Sequence, residues 1–192
     1  MAVFLAFLRG INVGSNNRIR MADLRNIFQD LGFTDVQTYI QSGNVIFRSA
    51  IEDGQQIILQ LEQAIETAFG FRASVVLRTA AEIAAIVSEA SKVSVKIAKD
   101  DSVSPANIFE FLHAALFREI PGAAELDWLR ELKRGREDFI TAGRDMFLFL
   151  PDGVHASKLA AGVSKSGLSA TIRNWKTISN LEQTVRKLPG SS

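Results

Sequence analysis

The spacing of apolar and polar positions changes several times along the chain, and each change marks an element. Val3–Leu8 is an unbroken apolar run bounded by Gly10, the pattern of a buried strand. From Met21, the residues Leu24, Ile27, Phe28 and Leu31 recur at helical spacing, and Gly32 supplies the stop. Val36–Gln41 and Val45–Arg48 flank Ser42-Gly43-Asn44 and read as a hairpin. Ile57, Leu61, Ala64, Ile65 and Ala68 mark a second helix ending at Gly70. Ala73–Arg78 reads as a strand and Ala80–Ala90 as a helix. The order is βαββαβα.

The second half repeats that order in pattern, without a residue-level repeat. Val93–Ala98 is read as a strand, and Ser104-Pro105 as a helix start with Ile108, Phe109, Leu112 and Leu116 as its stripe. His113 falls in that helix and is read as structural. Leu126–Leu132, Asp138–Thr141 and Met146–Leu150 are strand candidates; Ala156–Ser166 is a helix, and Ala170–Asn174 a last strand. Ser179-Asn180-Leu181-Glu182 has capping-box spacing for a final helix. The expected fold class is α+β, with two ferredoxin-like (βαββαβ) halves packed together, an N-terminal one over 1–91 and a C-terminal one with a terminal helix over 92–192. Phe4, Phe7 and Phe47 are assigned to the core.

Composition narrows the functional classes. The chain has 192 residues, 47% hydrophobic and 22% charged, which suits one domain or two small ones with a real core. The net charge of +1 is not that of a general nucleic-acid binder, so nucleic acid is left open but not favoured. With no cysteine, disulfides, thiolate metal sites and thiol nucleophiles are ruled out. Two histidines without motif partners, His113 and His155, argue against a transition-metal site, and no cofactor is expected. The apolar N-terminal run is too short for a membrane span and lacks the basic flank of a signal peptide. The expectation is therefore a cytoplasmic protein with no membrane partner.

Candidate chemistry sits in three polar loops beside apolar runs: Arg9–Gly14, Thr38–Asn44 and Thr171–Trp175. In the first, Gly10 and Gly14 permit unusual backbone, Asn12 offers an amide, and Arg9 a planar fork for phosphate or carboxylate. It is neither a P-loop nor a dinucleotide fingerprint; the same residues also serve a plain strand-to-helix connection. In the second, a period of two places Tyr39 and Gln41 on one strand face, while Gly43 and Asn44 equally suit a tight turn. In the third, Thr171, Arg173 and Trp175 share a face if the segment is extended; the alternative has Arg173 holding the last helix and Trp175 in the core. Ser157 reads as a cap beside Lys158, and the chain has no nucleophile elbow. Lys133-Arg134-Gly135-Arg136 reads as a solvated turn.

The segments Arg9–Gly14, Met21-Ala22-Asp23-Leu24, Gly32-Phe33, Thr38–Val45, Ser157-Lys158-Leu159 and Thr171–Trp175 together resemble a bacterial family catalogued as domain of unknown function 1697, nearly end to end from Phe4 to Leu181. The resemblance implies an α+β, ferredoxin-like fold with two related halves, and no established activity. The chain departs from the family's pattern at Ser15, where a second glycine is frequent, and at Lys176, where asparagine is common.

The leading expectation is a protein that binds an anionic or phosphate-bearing small molecule through Arg9, Asn12, Tyr39, Gln41, Asn44, Lys158, Arg173 and Trp175. The alternatives are an enzyme using the same cluster to stabilise developing negative charge, with His155 the one candidate base, and a partner-binding module without a small-molecule site.

Overall fold

The computed structural model describes residues 1–14, 16–97, 107–165, 167 and 169–189. The chain divides into two compact units, one of Met1–Glu82 with the segment from Gln183 onward, the other of Ile83–Glu182. The fold is α+β, with two four-stranded antiparallel sheets and seven helices among the described residues.

In the first unit, β1 (Ala2–Leu8) is followed by α1 (Met21–Asp30), β2 (Thr34–Tyr39), β3 (Asn44–Ser49), α2 (Gly54–Phe69) and β4 (Val75–Thr79). The sheet order is β2-β3-β1-β4, the ferredoxin-like arrangement. Alternate residues Phe4, Ala6 and Leu8 face a core that takes Leu24 and Phe28 from α1 and Ile57, Leu61 and Ile65 from α2. Phe47 is its hub, with ring centroids 5.9 Å from Phe4, 5.1 Å from Phe28 and 4.7 Å from Phe33. Phe7 is fully buried as well, so the three phenylalanines assigned to the core lie there. Helix α2 starts where Asp53 accepts from the Gln55 amide at 2.8 Å and stops at Gly70, which has positive φ.

Helix α3 (Ala80–Ile97) belongs to the second unit from Ile83 on; it is followed by α4 (Ile108–Phe111), β5 (Leu112–Phe117), α5 (Ala123–Glu131), β6 (Asp138–Ala142), β7 (Asp145–Phe149), α6 (Lys158–Lys165), β8 (Ala170–Asn174) and α7 (Trp175–Arg186). The second sheet is ordered β6-β7-β5-β8. The βαββαβα order therefore recurs, starting at Leu112.

Three expected elements are corrected. Val93–Ile97 continues α3 and is not a strand: Ile83, Ile86, Ala90 and Val93 are buried at helical spacing, and no turn residue interrupts them; Ala98 lies outside the described residues. The apolar stripe from Ile108 is not one helix. Four residues are helical, and Leu112, His113 and Leu116 belong to β5, whose backbone is paired on both edges by β7 and β8. The start at Ser104-Pro105 lies outside the described residues. Leu126–Leu132 is largely α5, not a strand, because Leu126, Leu129 and Leu132 recur every third residue and pack on one core. The final helix also begins earlier than its capping-box spacing implied. Asn174 Oδ1 accepts from the Thr177 amide at 2.8 Å, which caps α7 and places Ser179 inside it.

Strand register reveals a residue-level repeat that the sequence alone conceals. Phe7 pairs with Asn44 and Val76, and Leu116 pairs with Asp145 and Thr171 in the same way. In that correspondence Arg9 matches Arg118 and Arg78 matches Arg173. The Arg9 amide donates to the Ser74 carbonyl at 2.8 Å, and the Arg118 amide to the Ser169 carbonyl at 3.1 Å.

Gly43 is the tightest point of the first unit. It has φ +75°, and a Cβ there would lie 2.7 Å from Ile11 Cδ1 and 2.9 Å from Leu8 Cβ. Left-handed strain and overpacking act together, so Gly43→Ala should cost about 2–4 kcal/mol in urea denaturation. Gly14→Ala, at φ +60° with open space around it, should cost less than half of that. Equal costs would show that packing at Gly43 is not the constraint.

Candidate functional site

The loops Arg9–Gly14 and Thr38–Asn44 meet at one end of the first sheet. Asn12 joins them. Its Oδ1 accepts from the Ile19 amide at 2.9 Å, and its Nδ2 donates to the Ile19 carbonyl at 3.0 Å and to the Gln41 carbonyl at 2.9 Å. The side chain behaves as a short strand, pairing both backbone groups of Ile19 while pinning the hairpin tip. Its own backbone is left-handed, with φ +54°, which asparagine tolerates. Ile11 is buried beneath, against Gly43.

Asn44 is fully buried at the start of β3, where its Nδ2 donates to the Tyr39 carbonyl at 3.1 Å and the Ser42 hydroxyl at 2.8 Å. Both amides therefore serve the loop backbone. Gln41 is exposed in the turn 40–43 and lies outside β2, so it does not share a strand face with Tyr39. The reason is a break in the period: Ile40 adopts φ +49°, which turns the chain before Gln41. Tyr39 is half-buried, as is Arg9.

This loop end is basic. Residues 9–25 hold Arg9, Arg18, Arg20 and Arg25 against Asp23, and Glu62, bonded to the Val75 amide next to Ser74, adds a carboxylate on the Arg9 side. Arg18 Nη2 reaches the Gly14 carbonyl at 3.3 Å, Arg20 pairs with Asp23 at 2.7 Å, and Arg25 Nη2 donates to the Thr38 hydroxyl at 3.4 Å. All three side chains belong to exposed residues.

The remaining candidates belong to the second unit. Arg173 Nη1 donates to Thr171 Oγ1 at 2.5 Å and to the Ile172 carbonyl at 2.9 Å, and burial lowers its pKa to about 10. Thr171 and Arg173 do share a strand face. Trp175 does not, since it opens α7; it is buried and stacks on Phe109 with centroids 5.6 Å apart. The helix starts there because the Asn174 cap ends the strand. Lys158 is exposed at the start of α6, where Ser157 Oγ accepts from the Ala160 amide at 2.9 Å as a cap. His155 is exposed in a turn. Lys133 pairs with Asp138 at 2.5 Å in the expected solvated turn.

Two features escaped the sequence reading. Arg78, 1% exposed, sits within the apolar strand β4 and donates from Nη1 to the Leu77 carbonyl at 2.8 Å. An arginine ending a Val-Val-Leu run is the signal that marks it. Ile40 is the other, and sequence carries no signal for a β-branched residue at positive φ. A cleft of about 510 Å³ on α2 is lined by Leu59, Glu62, Gln63, Glu66, Arg72 and Ser74 among others, and Ser74, whose carbonyl accepts from the Arg9 amide, places one side of it next to the first loop. Its carboxylates are engaged: Glu62 accepts from the Val75 amide at 2.8 Å, and Glu66 pairs with Arg72 at 2.9 Å. No cluster of three or more potential metal-ligating side chains occurs among the described residues.

The family profile for proteins of unknown function designated DUF1697 matches residues 1–147. The chain belongs to that family. Among solved structures, a conserved bacterial protein, SP0830 from Streptococcus pneumoniae, is similar at a TM-score of 0.68 and 24% identity, covering 97% of this chain and 99% of its own. That likeness supports the fold. No curated protein matches the chain.

The Asn12 bracket predicts a specific loss. Asn12→Ala leaves the polar groups of Ile19 and the Gln41 carbonyl without these partners and should cost about 1–3 kcal/mol, read by thermal melting. A cost near zero would mean that water replaces the amide freely. His113 gives a pH signature for the second unit. Burial holds its imidazole below the ordinary 6.5, outweighing the Phe111 carbonyl contact at 3.2 Å. As pH falls, the unfolded chain takes the proton first, so the stability contribution is full above about 6.5 and is lost as pH drops toward the depressed folded value. His113→Gln should flatten the fall in melting midpoint between about pH 7 and pH 5. An unaltered slope would assign it to other groups.

Proposed function

We propose that this DUF1697 protein binds an anionic, phosphate-bearing ligand at the loop end of its N-terminal unit. The observation that carries the reading is the pairing of a fixed frame with excess positive charge. Asn12 spends its amide on Ile19 and Gln41, so the loops are held before any ligand arrives. The segment 9–25 brings four arginines and one aspartate, that aspartate already paired with Arg20. Guanidinium groups on a held backbone meet phosphate at little entropic cost, and they offer it two parallel donors. The start of α1 at the same end adds the positive pole of its dipole. Arg18 is the ligand-facing residue of this reading, and Arg9, half-buried and engaged within the fold, borders it. Gln41 borders them, and Asn12, Tyr39 and Asn44 hold the frame.

Catalysis would need a general base in this cluster. Asp23 is the acid available, and its pairing with Arg20 favours binding over proton transfer.

The test is thermal shift and calorimetry with inorganic phosphate and pyrophosphate at low salt. The midpoint should rise with ligand concentration by mass action. Arg18→Glu should weaken binding about tenfold or more, since a charge-assisted contact is replaced by repulsion, while the ligand-free midpoint stays unchanged. Added salt should shrink the difference. No response of the wild type to tens of millimolar pyrophosphate would end the proposal.

A further inference from the structure

Two aliphatic side chains stand in the open at this same loop end. Val13 is 69% exposed and Ile40 52% exposed. Each adjoins a residue of the Asn12–Gln41 hydrogen bond, so the bracket that joins the loops also brings these two residues near one another. The loops sort their apolar residues: Ile11 and Ile19 are buried, and Val13 and Ile40 are presented to solvent. Ile40 does so at a cost. Its φ of +49° forces a β-branched side chain against its own backbone, where asparagine or glycine would sit without strain. A turn alone does not call for isoleucine there.

We propose that this end seats on an anionic phospholipid surface. Val13 and Ile40 enter the boundary between headgroups and acyl chains, and Arg18, Arg20 and Arg25 meet headgroup phosphates. The inference rests on the anion reading above and names the source of the anion, a lipid headgroup in a bilayer rather than free phosphate. Exposed apolar tips among guanidinium groups match a surface that is anionic outside and apolar beneath. The expectation of no membrane partner rested on the lack of an apolar span, and no described helix is long and apolar enough to cross a membrane. Seating by loop tips needs none. Two short side chains give shallow, reversible attachment that depends on the apolar and electrostatic contributions together.

The test is cosedimentation of the full chain with phosphatidylcholine vesicles, with and without about 30 mol% phosphatidylglycerol, at low and high salt. The wild type should bind the anionic vesicles at low salt and neither kind at high salt. Val13→Asn with Ile40→Asn should lower vesicle binding about tenfold or more, because two aliphatic burials are lost, and leave the response to pyrophosphate intact. Ile40→Asn alone should raise the melting midpoint by relieving strain. Pyrophosphate binding without vesicle binding overturns the lipid assignment and leaves the anion reading standing. Binding to neither removes both. Vesicle binding undiminished in the double variant overturns the role of the tips, and with it the inference.

Discussion

Each unit is organised by a central strand that has no free edge. β1 is hydrogen-bonded to β3 and β4, and β5 to β7 and β8, all antiparallel. Val3–Leu8 is buried throughout, and so is most of β5. A one-residue slip would turn every side chain to the opposite face, so register is fixed by packing and hydrogen bonding at once. Everything at the strand ends inherits that precision. The Arg9 and Arg118 amides are held on the carbonyls of Ser74 and Ser169, so the loops leaving β1 and β5 begin from fixed points.

On that base, the first unit's loop end divides its polar residues between two tasks. The amides of Asn12 and Asn44 go to backbone groups of Ile19, Gln41 and Tyr39, in the connection before α1 and around the hairpin tip. Buried backbone polar groups need partners, and an asparagine supplies donor and acceptor from one side chain. The exposed arginines stand outward and set the local charge, Arg18 reaching the Gly14 carbonyl from solvent. Order and charge thus come from different residue types in the same few positions.

This division explains what could be read from the sequence. In the first unit every helix is followed by a glycine that stops it, as at Gly32 and Gly70, and the elements emerge with small boundary errors. From Ala80 onward the punctuation fails. Ala90 to Ile97 contains no breaker, so a strand-like run is absorbed into α3. At Leu112 an apolar stretch satisfies helical and strand patterns alike, and pairing with β7 and β8 decides for the strand. The positions of the polar loops were legible, since glycine, asparagine and arginine cluster at strand ends. The use of each amide was not, because it depends on which backbone groups lie opposite after folding. Gln41 and Trp175 were misplaced for a local reason: each lies just past a strand end, where alternation no longer holds.

The two arginines inside the last strands show a constraint that composition hides. Arg78 and Arg173 occupy the same register position and make the same bond, from Nη1 to the carbonyl of the preceding residue, at 2.8 Å and 2.9 Å. The next residue caps the following helix in both units: Thr79, in a reciprocal box with Glu82, and Asn174, on the Thr177 amide. A buried guanidinium is expensive, and the lowered pKa of Arg173 reflects that cost. An apolar side chain would fill the space more cheaply, but it could not bond the Leu77 or Ile172 carbonyl. The strands β4 and β8, each leading directly into a helix, therefore end in the same pair of parts, an arginine that bonds the carbonyl two residues before the strand end and a polar residue that takes a first-turn helix amide.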